Sequence, residues 1–160
     1  NQEEQKSRVN DYEEFLGQTL GEALLEPTRI YVKPVMQMLD SGLDLKAMVH
    51  ITSGGLCNLN RVESDNIRFV IDTLQPVPEI FNLIQDRGGV SEAEMFEVFN
   101  MGTGFCLIVE GTQEVEAISK ICKEHDLPCQ VIGHVEACQG KEVSLPQKQL
   151  IGKGSRFQNS

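Results

Sequence analysis

An apolar run that breaks into hydroxyls and glycines just after a histidine constrains this chain more than any other stretch. Within Val49-His50-Ile51-Thr52-Ser53-Gly54-Gly55-Leu56, residues 46–51 read as a short buried strand and residues 56–62 as a following turn of helix. The first N–H groups of a helix have no internal partner and lie at the positive end of its dipole, so such a junction suits an anion. Thr52 and Ser53 would add hydroxyl donors, and Gly54 and Gly55 would let a phosphate approach the backbone closely. Two plainer readings compete: a glycine turn without a ligand, and a histidine satisfied within a core strand. The loop alone does not separate them.

The chain has 160 residues, room for one domain with a real core, and its 40% hydrophobic and 24% charged content is that of a soluble globular protein. No stretch approaches a membrane span and no charged-then-apolar leader opens the chain, so a cytoplasmic protein without a membrane partner is expected. Fourteen basic against twenty-four acidic residues give a formal charge of −10. That balance disfavours nucleic acid as a partner and obliges any phosphate ligand to be met by local donors. The five cysteines form an odd set without a Cys-x-x-Cys pair, which argues against zinc and against a disulfide framework; Cys106 and Cys122 read as small core residues.

Residues 1–10 are polar and aperiodic and read as a lead-in or linker, residues 11–150 as the folded domain, and residues 151–160 as a tail. Tyr12, Phe15, Leu16, Leu20 and Leu24 keep helical spacing, weakened by Gly17 and Gly21 and ended by Pro27. Thr28 to Lys33 reads as a short strand carrying Arg29 and Tyr31 on one face. Pro34 then suits the first turn of a helix closed by Gly42. A strand at 67–71 precedes a helix led in by Pro76-Val77-Pro78 and ended by Gly88-Gly89. Ser91 and Glu94 make a capping-box pattern for a helix with Met95, Val98 and Phe99 facing inward. The turn Asn100 to Gly104, whose asparagine either bonds a ligand or caps the preceding helix, feeds a strand at 105–109. A helix from Thr112, a strand at 129–135 and an edge strand at 141–145 follow. His125 and His134 lack partners at metal-ligand spacing. Helices alternating with short strands of mixed character predict an α+β domain with helices packed on a mixed sheet.

Several stretches occur together in one order: residues 20–34 (Leu-Gly-Glu-Ala-Leu-Leu-Glu-Pro-Thr-Arg-Ile-Tyr-Val-Lys-Pro), residues 50–56, Pro76-Val77-Pro78-Glu79-Ile80-Phe81, and Phe99-Asn100-Met101-Gly102-Thr103-Gly104. Over about residues 16–135 the chain resembles the C-terminal domain of the phosphoribosylformylglycinamidine cyclo-ligases, the aminoimidazole ribonucleotide synthetases. The resemblance implies a three-layer domain with partial likeness to a ferredoxin-like fold. It implies an ATP- and magnesium-dependent ring closure of formylglycinamidine ribonucleotide in purine biosynthesis. ATP would phosphorylate the formyl amide oxygen, and a nitrogen of the same molecule would then displace phosphate. It further implies a homodimer in the complete enzyme and an N-terminal ATP-binding domain absent from this chain. ATP and magnesium belong to that missing part, and none is expected to be held by this domain alone, which would be inactive by itself.

Under this resemblance the loop Thr52, Ser53, Gly54 and Gly55 faces the substrate phosphate. His50 lies near the reacting formamide as acid, base or orienter. Thr28, Arg29 and Asn100 are candidates for the same wall. Three successive glycines are usual in the family's loop, and Ser53 stands in the first place; Cys57 and Asn60 also depart from the commoner pattern. The alternatives are a non-catalytic binding domain of the same fold and a relative such as selenophosphate synthetase or thiamine-monophosphate kinase.

Overall fold

The computed structural model describes residues 8–160, so most of the expected lead-in at 1–10 lies outside the described residues. The α+β class holds, with strands divided between a two-stranded ribbon and a mixed five-stranded sheet, besides a short N-terminal hairpin.

That hairpin replaces most of the helix expected from Tyr12. Tyr12–Glu13 (β1) pairs antiparallel with Gln18–Thr19 (β2), and Gly17 between them takes φ +67, a conformation open to glycine without steric cost. Only Leu20–Leu24 (α1) is helical. Thr19 caps it: its hydroxyl accepts from the Glu22 N–H, while the Glu22 carboxylate accepts from the Thr19 N–H at 2.8 Å.

The expected strand at Thr28 to Lys33 does not form. Residues 26–31 are unpaired coil, Ile30 is 78% exposed, and helix α2 (Val32–Asp40) begins at once with Pro34 inside its first turn. β-Branched residues favour a strand only where an edge is available to pair with. Gly42, at φ +73, follows the end of α2 as expected.

Leu45–His50 (β3) pairs antiparallel with Phe105–Val109 (β5), and a bulge between Leu45 and Ala47 reverses the side-chain alternation. The bulge lets one strand serve two cores. Leu45, with Leu107 and Val109, packs under α2 and α5 (Thr112–Glu124), which meet through Met38, Ile118, Ile121 and Cys122. Val49 and Cys106 face the other way, into the main core with Leu56, Leu59, Phe69, Met95, Phe96, Val143 and Phe157.

The main core is roofed by a 3-10 turn (Gly55–Arg61) and by α4 (Glu92–Val98), which follows α3 (Glu79–Gly88). The Ser91 hydroxyl accepts from the Glu94 N–H, one half of the expected box. Inward from α4 come Met95 and Phe96, whereas Val98, expected inside, is exposed. The floor is a sheet ordered β6 (Gly133–Ala137), β4 (Ile67–Ile71), β7 (Lys141–Leu145), β8 (Leu150–Lys153) and β9 (Arg156–Asn159). β4 runs parallel to β7 and every other pair is antiparallel.

Two expectations are corrected by this sheet. Residues 141–145 form its central strand, with Val143 fully buried. The expected tail supplies most of β8 and all of β9, where Phe157 enters the core against Phe96. Short strands such as residues 156–159 carry too little periodicity to be distinguished from a polar tail. On the outer face, the Glu142 carboxylate is only 5% exposed. It accepts from Arg68 Nε at 2.6 Å and pairs with Lys153 Nζ at 3.3 Å. Burial alone would raise its pKa, but those two cations hold it below the ordinary value.

Candidate functional site

β3 ends at His50, and the Ile51 N–H bonds the Gly104 carbonyl at 2.9 Å, tying the two small-residue turns together. Thr52 and Ser53 then turn outward and are exposed. The N–H groups of Thr52, Ser53 and Gly54 find no protein acceptor among the described residues, as the anion reading requires. Gly55 departs from it, because its N–H bonds the Thr52 carbonyl at 3.0 Å and the residue is buried.

The two glycines have different reasons to be glycine. Gly54 takes φ +99, and a Cβ there would sit 3.1 Å from Asn58 Oδ1. Gly55 takes φ +52, and a Cβ would sit 1.9 Å from the Phe96 carbonyl oxygen and 2.7 Å from that of Phe99. Gly55 therefore lets the loop lie against the end of α4; it does not face outward. Ser53 is absent from the residues with positive φ, so serine in place of the usual glycine carries no left-handed backbone cost.

The second turn is built by Asn100. Its Oδ1 accepts from the Gly102 N–H at 3.1 Å and its carbonyl accepts from the Thr103 N–H at 2.8 Å, with Met101 at φ +47 and Gly102 at φ +91. The side chain thus organises its own turn, while Nδ2 keeps no protein acceptor among the described residues.

A cleft of about 960 Å³ lies between the ribbon and the β6 side of the sheet, and Thr28, Arg29 and Asn100 all line it. A smaller hollow of about 270 Å³ is lined by Thr52 and Asn100 together with Ile51, Phe81, Val98 and Phe99. Asn100 borders both, as do Phe81 and Phe99, so four of the sequence-derived residues line two hollows with a shared wall. His50, Ser53, Gly54 and Gly55 line neither hollow. His50 is exposed beside the wall, and its ring meets Tyr31 at 5.7 Å and Phe105 at 5.9 Å between centroids.

Tyr31 and Thr103 are wall residues that sequence reasoning did not select. Tyr31 lines the large cleft, and burial raises its pKa against the opposing charge of nearby Arg29. Its adjacency to Arg29 was the available signal. Thr103 is buried at the cleft floor. Thiol chemistry finds no support at the buried cysteines: desolvation pushes Cys106 and Cys122 up to about 12 and Cys57 to about 11, keeping all three neutral. Among the described residues no group of three or more His, Cys, Asp or Glu side chains is placed to hold a metal ion, and no helix is long and apolar enough to cross a membrane.

An α+β domain whose two small-residue turns each contribute a polar side chain, Thr52 and Asn100, to one hollow is the architecture in hand. The chain belongs to the family described as "AIR synthase related protein, C-terminal domain", whose model matches residues 2–146. Its curated relatives include the phosphoribosylformylglycinamidine cyclo-ligase of Methanococcus maripaludis, 45% identical over 120 residues, which cover 75% of this chain and 34% of the relative. Those of Methanocaldococcus jannaschii and Carboxydothermus hydrogenoformans are each 44% identical, over 81% and 82% of this chain and 37% and 38% of the relatives. The chain spans little more than a third of the length of these relatives.

Proposed function

We propose that this chain is the substrate-side domain of a cyclo-ligase that converts formylglycinamidine ribonucleotide to aminoimidazole ribonucleotide in purine biosynthesis. The observation that carries the reading is the meeting of Thr52 and Asn100, from turns nearly fifty residues apart, in one hollow that shares Phe81, Phe99 and Asn100 with the cleft lined by Thr28 and Arg29. Among the described residues the N–H groups of 52–54 and the Arg29 guanidinium have no protein partner, and they are donors suited to a 5′-phosphate in a chain of net negative charge. Asn100, whose Nδ2 likewise has no protein acceptor among the described residues, adds a neutral donor.

Ring closure makes one carbon–nitrogen bond, breaks one carbon–oxygen bond and releases a proton from the attacking nitrogen. His50, exposed beside the wall, is the residue we assign to take or orient that proton. Its neighbours Thr52 and Asn100 hold the substrate rather than react. Under this reading ATP and magnesium are held outside this chain. They belong to an N-terminal ATP-binding partner, without which this domain is inactive, and the complete enzyme works as a cytoplasmic homodimer.

Calorimetric titration of this chain with formylglycinamidine ribonucleotide tests the reading. Saturable binding that weakens in Arg29→Ala and in Asn100→Ala is the expected outcome. Heat no larger than that given by inorganic phosphate, or binding indifferent to both substitutions, overturns it.

A further inference from the structure

We infer that Tyr31 is a positioning residue for His50, forming with Phe105 an aromatic seat for the imidazole and so tying its orientation to the wall that carries Thr28 and Arg29. The inference rests on the role given to His50 above.

His50 and Phe105 are directly paired across the end of the ribbon, which places their rings 5.9 Å apart on one face. Tyr31, just before α2, closes a triangle of rings on that side of the imidazole: its ring stands edge-on to His50 at 73° and leans on Phe105 at a centroid distance of 5.1 Å. Three rings within 5.1 to 5.9 Å of one another restrict the rotamers of a histidine that its exposure would otherwise leave free.

Gly104 makes the closure possible. A Cβ at that position would lie 2.0 Å from the Tyr31 hydroxyl oxygen, so the phenol can come down over the turn only because residue 104 has no side chain. The Gly104 carbonyl also holds the Ile51 N–H, one residue beyond His50. The same turn therefore fixes both the backbone beside His50 and the ring that leans on it. The Tyr31 hydroxyl makes no hydrogen bond among the described residues. Orientation comes from the ring, and phenylalanine should replace tyrosine for this purpose.

The test has a spectroscopic and a kinetic arm. With three histidines in the chain, the His50 imidazole resonances are separable from those of His125 and His134. In Tyr31→Leu the His50 ring signals should move toward the free-histidine position, while Tyr31→Phe leaves them near the native one. In the complete cyclo-ligase, Tyr31→Leu should lower kcat by about tenfold to a hundredfold with KM little changed. Tyr31→Phe should retain activity, and Tyr31→Leu should add little to His50→Ala. Unmoved His50 resonances in a folded Tyr31→Leu protein overturn the inference. So does full turnover of Tyr31→Leu when His50→Ala is impaired. Full turnover of His50→Ala instead removes the role of His50, and the inference falls with it.

Discussion

Replacing Gly55 by alanine decides whether the second glycine of the central loop serves the fold or a ligand. At φ +52 an alanine loses about 1–2 kcal/mol to the left-handed backbone alone. The new methyl would also sit 1.9 Å from one carbonyl oxygen of α4 and 2.7 Å from the next carbonyl oxygen beyond it. Both neighbours are backbone atoms, so no rotamer change relieves the overlap, and separating the loop from α4 is an overpacking cost of about 1–3 kcal/mol. The two costs reach roughly 2–5 kcal/mol, a large fraction of a typical domain's total stability. Gly54→Ala is the control. At φ +99 it incurs the backbone cost, but its nearest neighbour is a side-chain oxygen at 3.1 Å that can yield. Urea unfolding followed by circular dichroism should rank the proteins native, Gly54→Ala and Gly55→Ala in falling midpoint. A Gly55→Ala protein no less stable than Gly54→Ala would refute the packing argument. If that protein also lost affinity for the nucleotide, Gly55 would return to the ligand.

His50→Ala in the complete enzyme should lower turnover by about a hundredfold or more, the scale of general acid–base catalysis. Its unfolding midpoint should hardly move, because the side chain is exposed; stopped assays beside thermal melts check both. Asn100→Asp keeps the oxygen that accepts from the Gly102 N–H but trades the free amide for negative charge, so titration should show lost affinity for a phosphate-bearing ligand with little loss of fold. Glu142, held below its ordinary pKa in the folded protein, contributes stability that is present above the unfolded glutamate pKa and lost as pH falls through the folded value. Glu142→Gln should therefore flatten the acid limb of a stability-against-pH curve, and an unchanged limb would show that the Arg68 and Lys153 pairing contributes nothing there.

The fold was legible where a periodic apolar face runs long enough to identify itself. The helix expected from Thr112 forms with Ile118, Ile121 and Cys122 buried at helical spacing, and Gly42 and Gly89 follow the helices they were expected to end. It was illegible where pairing is decided by distant chain. Residues 28–31 have strand composition and no strand, because no edge reaches them; residues 156–159 have a polar composition and form β9, because β8 offers an edge. The bulge at Leu45 is also a tertiary device, since only the presence of two cores on opposite faces makes the reversal worthwhile.

For the site, the sequence contained the residue types but not their division of labour. A glycine required by φ > 0 and one required by a close approach look alike in a chain of letters, so Gly54 and Gly55 read as a pair although only Gly54 adjoins the free amides. Asn100 shows the opposite case. The cap and the ligand contact were rival readings, yet an amide has an oxygen and a nitrogen, and the geometry uses the oxygen for the turn while leaving the nitrogen without a protein acceptor among the described residues. The two roles depend on each other: without the Oδ1 bond the turn would not hold Nδ2 in place, and without the turn Gly104 could not receive both the Ile51 N–H and the Tyr31 ring. Under the proposed function, structural and ligand-facing duties at this turn follow from one conformation, so the cap and the ligand contact are compatible.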